Sequence, residues 1–252
     1  MTDKLDLDNE EQEPDTPTNF ERNTDLYIIK FPRTKHIANL GSATRDDLLM
    51  TQAESSSFLN KEIYVEEKID GANMGISINK DGKILVQNRS HYVTTQSGPQ
   101  FKPLDKWIAT HYTELWEILE PEVHILYGEW LYMKHSIKYN RLEDWFMAFD
   151  IFDKKENKFY SRDRVEKILE NTTIKLIPVI IKTSFKKIDE IKALVNTPSR
   201  YADGKVEGVY CRICNDDYLI NRGKIVRTDF ISGNVHWSKG IIEQNEIMND
   251  YQ

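Results

Sequence analysis

A lysine stands where a strand should end, followed at once by an acid, a glycine and an amide: Tyr64-Val65-Glu66-Glu67-Lys68-Ile69-Asp70-Gly71-Ala72-Asn73. That is a poor way to build a core and a good way to present a nucleophile at a turn. Lysine is weakly nucleophilic at its ordinary pKa of about 10.4, so an attacking lysine must be depressed by burial or by nearby cations. The chain offers cations in Gln87-Asn88-Arg89-Ser90 and in Arg222-Gly223-Lys224-Ile225-Val226-Arg227. It offers acids suited to sugar hydroxyls or metal ions in Leu126-Tyr127-Gly128-Glu129-Trp130 and in Lys205-Val206-Glu207-Gly208-Val209. Each stretch alone is a common chance match. For Asp70 the expected role is structural, bonding the backbone around Lys68, and Phe149 read alone is as well explained by a core as by a ligand.

Strands and turns must hold these residues. Residues 63–67, 75–79 and 83–88 read as successive strands, with Asn79-Lys80-Asp81-Gly82 supplying hairpin chemistry between the last two. Ahead of them, residues 26–31 and 35–41 read as short strands or turns. Leu104, Trp107, Ile108, His111, Tyr112, Leu115, Trp116 and Leu119 recur at helical spacing and predict one amphipathic helix ending at Pro121, its aromatics in the core. Residues 123–131 and 145–153 are apolar strands. Ser161 caps a short helix, 177–181 is a strand, and Ile188, Ile191, Leu194 and Val195 mark another helix before Pro198. Three last strands are expected at 206–213, 217–221 and 224–230. Strands outnumber helices without strict alternation, which predicts an α+β fold with antiparallel or mixed sheets flanked by helices.

Seven acids against Lys4 alone in the first fifteen residues carry most of the formal charge of −7, so the remainder is near neutral and can still hold phosphates locally. With Pro14, Pro17 and few apolar residues, 1–20 is expected to be a disordered acidic tail, and 21–252 one domain. No apolar run is long enough to span a bilayer and the N-terminus is unlike a secretory signal. A cytoplasmic protein is expected, or a nuclear one in a eukaryotic source, with no membrane partner. Cys211 and Cys214 form a lone C-x-x-C inside a strand-like stretch, with no second pair at metal spacing, so they are read as structural.

Taken in order, Lys68-Ile69-Asp70-Gly71-Ala72-Asn73, Arg89, Tyr127-Gly128-Glu129, Phe146-Met147-Ala148-Phe149-Asp150, Val206-Glu207-Gly208-Val209 and Lys224-Ile225-Val226-Arg227 resemble the serial motifs of covalent nucleotidyltransferases, the polynucleotide ligases and mRNA capping enzymes. Within that superfamily the chain is most similar to ATP-dependent RNA ligases of the phage double-strand-repair type. The stretch Thr228-Asp229-Phe230-Ile231 with His236-Trp237-Ser238 adds to the likeness.

The resemblance implies that Lys68 attacks the α-phosphate of ATP, with Mg2+ or Mn2+, to give a covalent lysyl–AMP. The AMP then passes to an RNA 5′-phosphate, and a 3′-hydroxyl displaces it to seal the strand. By the same resemblance Glu67 reaches the adenine edge, Phe149 stacks on the base, and Arg89 and Glu129 lie near ribose and phosphate. Asn73 holds the RNA 5′-phosphate, Glu207 organises a metal through water, and Lys224 contacts the α-phosphate with Arg227 nearby. The phage enzymes space their last basic pair as Lys-x-Lys where this chain has Lys-x-x-Arg, leaving open how Lys224 and Arg227 share the work. The stretch after Arg227 is too short for the OB-fold of DNA ligases and capping enzymes or the helical domain of phage RNA ligases, so an accessory protein supplying RNA docking is a possible partner. Rival readings are a DNA ligase, a capping guanylyltransferase, or a catalytically silent RNA-binding domain.

Overall fold

The computed structural model describes residues 28–41, 43, 47–228 and 243–248. The acidic tail and the residues 229–238 cited above lie outside them. A short helix α1 (Gln52–Ser56) opens on a capping box, in which Thr51 Oγ1 accepts the Glu54 N–H and Glu54 Oε2 accepts the Thr51 N–H at 2.7 Å. Then come β1 (Glu62–Lys68), β2 (Ala72–Ile78), β3 (Ile84–Gln87), α2 (Leu104–Thr110), α3 (Tyr112–Ile118), β4 (His124–Trp130), β5 (Phe146–Asp153), β6 (Lys158–Phe159), α4 (Arg162–Leu169), β7 (Lys175–Leu176), β8 (Val179–Ser184), α5 (Ile188–Ala193), β9 (Gly208–Cys214) and β10 (Leu219–Val226).

These strands form two sheets. One has the order β10-β9-β1-β8, the other β3-β2-β4-β5-β6, with β7 pairing parallel to β5 while every other pair is antiparallel. Because β1 lies in the first sheet and β2 in the second, Lys68 to Gly71 is the crossover between them. Each sheet has an apolar face covered by helices. Met74, Ile76, Trp130 and Phe146 pack with Leu104, Trp107, Leu115 and Val165 under the second sheet. Ile63, Val65, Val209 and Ile225 pack with Phe58, Ile191 and Val195 under the first. The strand period of two sends the intervening residues of β1 to the opposite face.

A buried charged network ties the sheets together across the gap. Arg212 on β9 donates through Nε to Glu66 on β1 (2.7 Å) and through Nη1 to Asp150 on β5 (2.6 Å). Arg162 Nε completes Glu66 (2.8 Å), and Arg222 on β10 reaches Asp150 (3.3 Å). Glu66, Asp150, Arg162 and Arg212 are all at most 4% exposed, so each charge needs these partners to be tolerated.

The structure revises several expected elements. The predicted helix over 104–119 is two helices that meet at His111, whose φ of −101° and ψ of 12° leave the helical region. His111 is buried, its Nδ1 2.8 Å from Glu114 and its Nε2 3.4 Å from Asp144, while Trp116 and Tyr112, expected in the core, are exposed. The strands predicted at 217–221 and 224–230 are one strand, β10. Gly223 pairs with Cys211 without a break, and a Cβ there would lie 2.4 Å from Ile37, so the glycine admits a neighbour rather than making a turn. Residues 35–41 contribute only two isolated bridges at His36, to Lys224 and to Leu49. Cys211 sits in the apolar core, which pushes its thiol up, and Cys214, an odd number of strand positions away, is on the other side of β9.

Candidate active site

The cleft between the sheets has a volume of about 450 Å³. Cross-strand pairing explains which side chains enter it. Lys68 pairs with Gly208, which pairs with Val226; Glu66 pairs with Tyr210, which pairs with Lys224. Lys68, Glu66, Tyr210 and Lys224 therefore project from one face, and Gly208 leaves the position beside Lys68 empty. From the other sheet Asn73, paired with Glu129, and Phe149 approach the same space, with Arg89 exposed at the rim.

Lys68 Nζ donates to the Glu207 carboxylate at 2.7 Å. Burial pulls the ammonium down, but Glu207, Asp70 and Glu129 outweigh it, and its pKa is raised. The site is thus acid-rich: burial pushes Glu129 up to about 8 and Glu207 up to about 7, with Asp70 raising both further against the pull of Lys68. This corrects the expectation that burial or nearby cations depress this lysine: the surrounding carboxylates outweigh burial and hold it up. A site with surplus negative charge is suited to a divalent cation, which would favour the deprotonated lysine. Among the described residues no group of three or more His, Cys, Asp or Glu could cage a metal, and the acids whose charge acts on Lys68 are Glu207, Asp70 and Glu129.

Lys224 is lowered by burial and by Lys68, and donates to Asp47 Oδ1 at 3.1 Å. Asp47 also faces His36 Nε2 at 3.2 Å, and burial keeps that imidazole neutral by lowering its pKa. The chain before β1 thereby braces Lys224, since the Ile37 N–H bonds Lys224 O and the Lys224 N–H bonds Lys35 O. Asp70 has the structural role expected of it, its carboxylate accepting from Ser136 N–H (2.6 Å). Phe149 packs edge-on to Phe31, 5.2 Å between centroids, and both line the cleft, as do Thr34 and Tyr210, whose hydroxyls are 3.1 Å apart.

Two expected residues stand differently. Glu67 touches the cleft, but its carboxylate accepts from Ser199 Oγ (2.5 Å) and Arg200 N–H (3.0 Å), on the alternate side of β1 from Lys68. Arg227 is not among the cleft-lining residues; its N–H bonds Glu207 O just beyond β10. Sequence reasoning missed Phe31, Thr34, His36, Asp47, Tyr210, Arg212 and Glu66. The last had a signal, because Glu66 shares the face of Lys68 by the period of two.

A family model described as RNA ligase matches residues 61–226. The chain belongs to the RNA ligase family. Its fold matches solved structures of a Naegleria gruberi RNA ligase: a mutant with ATP and Mn (18% identity, TM-score 0.59), the ligase with PPi (19%, 0.58) and a mutant with AMP and Mn (16%, 0.58). Each covers 81% of this chain, which spans 57% of the ligase's own length. No curated protein sequence matches this RNA ligase family member. The α+β fold with antiparallel sheets is that of the ligase nucleotidyltransferase module. No helix among the described residues is long and apolar enough to cross a membrane.

Proposed function

We propose that this chain is an ATP-dependent RNA ligase of the phage double-strand-repair type, a single adenylyltransferase domain that seals 5′-phosphate and 3′-hydroxyl RNA ends. The observation that carries this reading is the Lys68–Glu207 pair, beside Glu129 and Lys224, at the crossover between two sheets. The Naegleria ligase structures hold ATP, AMP, PPi and Mn, which supports this reading, since ATP is the nucleotide such chemistry consumes, AMP the group it transfers and PPi what it releases.

In this reading ATP enters the cleft with its base against Phe149 and its phosphates toward Lys68 and Lys224. Glu207, nearest to the lysine, takes the ammonium proton. The freed Nζ lone pair then forms a bond to the α-phosphorus as the bridging bond to the β-phosphate breaks, and pyrophosphate leaves with the electron pair. Lys224 stabilises the charge that builds on the α-phosphoryl oxygens, with Arg89 at the rim. Glu207, with Glu129 nearby, would hold a Mg2+ or Mn2+ ion, which would supply positive charge to the phosphates and favour the deprotonated form of Lys68. Asn73 at the start of β2 meets the RNA 5′-phosphate that accepts the AMP, before a 3′-hydroxyl displaces it. Arg227 supports Glu207 through its backbone. The test is the intact mass of the protein after ATP and magnesium, beside GTP and NAD. A gain of one AMP from ATP alone, absent in Lys68→Ala, is expected; a gain that survives in Lys68→Ala refutes the assignment.

A further inference from the structure

Residues 243–248 hold no catalytic side chain, yet they run along residues 131–142, the segment leaving β4. The contact is a series of backbone hydrogen bonds: Lys134 N–H to Glu243 O (2.9 Å), Asn245 N–H to Tyr132 O (3.0 Å), Glu246 N–H to Tyr139 O (2.9 Å), Leu142 N–H to Glu246 O (3.0 Å) and Met248 N–H to Leu142 O (2.8 Å). Asn245 is 1% exposed and uses both ends of its amide: Oδ1 accepts the Tyr139 N–H (2.9 Å) and Nδ2 donates to Leu131 O (2.8 Å). Outside, Lys134 pairs with Glu243 (2.6 Å) and Lys138 with Glu246 (3.0 Å).

What this strap holds is the backbone just after Lys68. The Tyr139 hydroxyl, on a residue 1% exposed, accepts the Asp70 N–H at 2.8 Å. The Asp70 carboxylate accepts from Ser136 N–H (2.6 Å) and Ile137 N–H (3.3 Å). Ile69 is buried in one cluster with Tyr139, and Ile247 of the strap packs against it. Since β1 ends at Lys68, no ladder bond fixes the two residues that follow; residues 136–139 fix them instead, and residues 243–248 fix those.

We infer that residues 243–248 are a positioning element for Lys68, acting through Tyr139 and Asp70, with Asn245 as its central residue. The inference rests on the reading of Lys68 as the nucleophile. In-line attack tolerates little displacement, and a misplacement of about 1 Å costs on the order of 10²-fold in rate. Nucleotide binding depends on the cleft walls and not on the line of attack, so it is spared.

Two variants test this, Asn245→Ala and Tyr139→Phe, the second deleting one oxygen and guarding against a fold lost in the first. Two quantities are compared with wild type: the single-turnover rate of AMP transfer to Lys68, and the stoichiometry and Kd for α,β-methylene-ATP, which binds but has no cleavable bridge. A fall of about ten- to a hundred-fold in rate, with stoichiometry kept and Kd within about two-fold, is expected for both. Equal losses of binding and rate, as from a merely structural role, overturn the inference, and so do wild-type rates. Wild-type protein that gains no AMP overturns the reading of Lys68 and this inference with it, whereas an active wild type with unaffected variants overturns this inference alone.

Discussion

Replacing Glu129 by glutamine should make the protein more stable in alkaline solution and leave it unchanged in acid. Burial, with Asp70 and Glu207 nearby, pushes this carboxyl up to about 8 from an ordinary 4.5, against the pull of Lys68. Between those values the folded protein keeps a proton that the unfolded chain releases. The folded state therefore binds more protons, and stability falls as pH rises through that window. At about 1.4 kcal/mol for each pKa unit, the limiting loss is about 5 kcal/mol. Glutamine has the shape of the protonated acid, and its oxygen can still accept the Gly71 N–H that Glu129 Oε1 accepts at 3.0 Å. Even half the limiting value, at a urea slope of about 2 kcal/mol per molar, moves the unfolding midpoint by about 1 M. The assay is urea unfolding of both proteins from about pH 5 to about pH 9, with and without magnesium. Wild type should lose stability across the range, and magnesium should restore it more at high pH than at low. The variant should lose less, because position 129 no longer titrates while Glu207, up to about 7, still binds a proton that the unfolded chain releases. Parallel curves for the two proteins, or a wild type that gains stability as pH rises, would refute the account of an acid-rich site.

Two further changes test the scaffold. Gly208→Ala puts a Cβ 2.2 Å from Ile225 O and 2.9 Å from Val226 Cα, so thermal unfolding should show a loss of about 1–3 kcal/mol or more, together with slower AMP transfer because Lys68 pairs with this position. Arg212→Met leaves Glu66 and Asp150 buried with fewer cations and should cost about 3–5 kcal/mol in denaturant unfolding, a loss that adding Glu66→Gln should partly reverse.

The residues proposed for the chemistry could be picked out because their types are confined by what phosphoryl transfer needs and because they sit at or near strand ends, where a short motif suffices to place them. Lys68, Glu129, Glu207 and Lys224 do converge. Two properties of the site were not legible. Lys68 is held by more carboxylates than cations, and that depends on how closely Asp70, Glu129 and Glu207 approach once the sheets face each other. The supports of the site, Asp47 with Lys224 and Asn245 with Tyr139, join segments far apart in sequence, and Asp47 and Asn245 alone read as ordinary polar residues. The partners of Glu67 were not legible for a local reason: adjacent residues of a strand face opposite ways, so its carboxylate meets Ser199 and Arg200 while Glu66 shares the face of Lys68. The helix over 104–119 showed its buried positions Leu104, Trp107, His111, Leu115 and Leu119 but not its break at His111, which has partners at Glu114 and Asp144, nor the exposure of Tyr112 and Trp116.

The charged brace between the sheets also makes ionic strength a useful variable. Counterions weaken exposed charge pairs over about 10 Å at moderate salt but reach buried pairs poorly. Arg212, Glu66 and Asp150 are at most 2% exposed, so the spacing of the two sheets should persist at salt concentrations that strip polyanions from a protein surface. If RNA binds as proposed, a salt titration would dissociate it from a cleft of constant shape, and the slope of that titration would count the phosphates gripped.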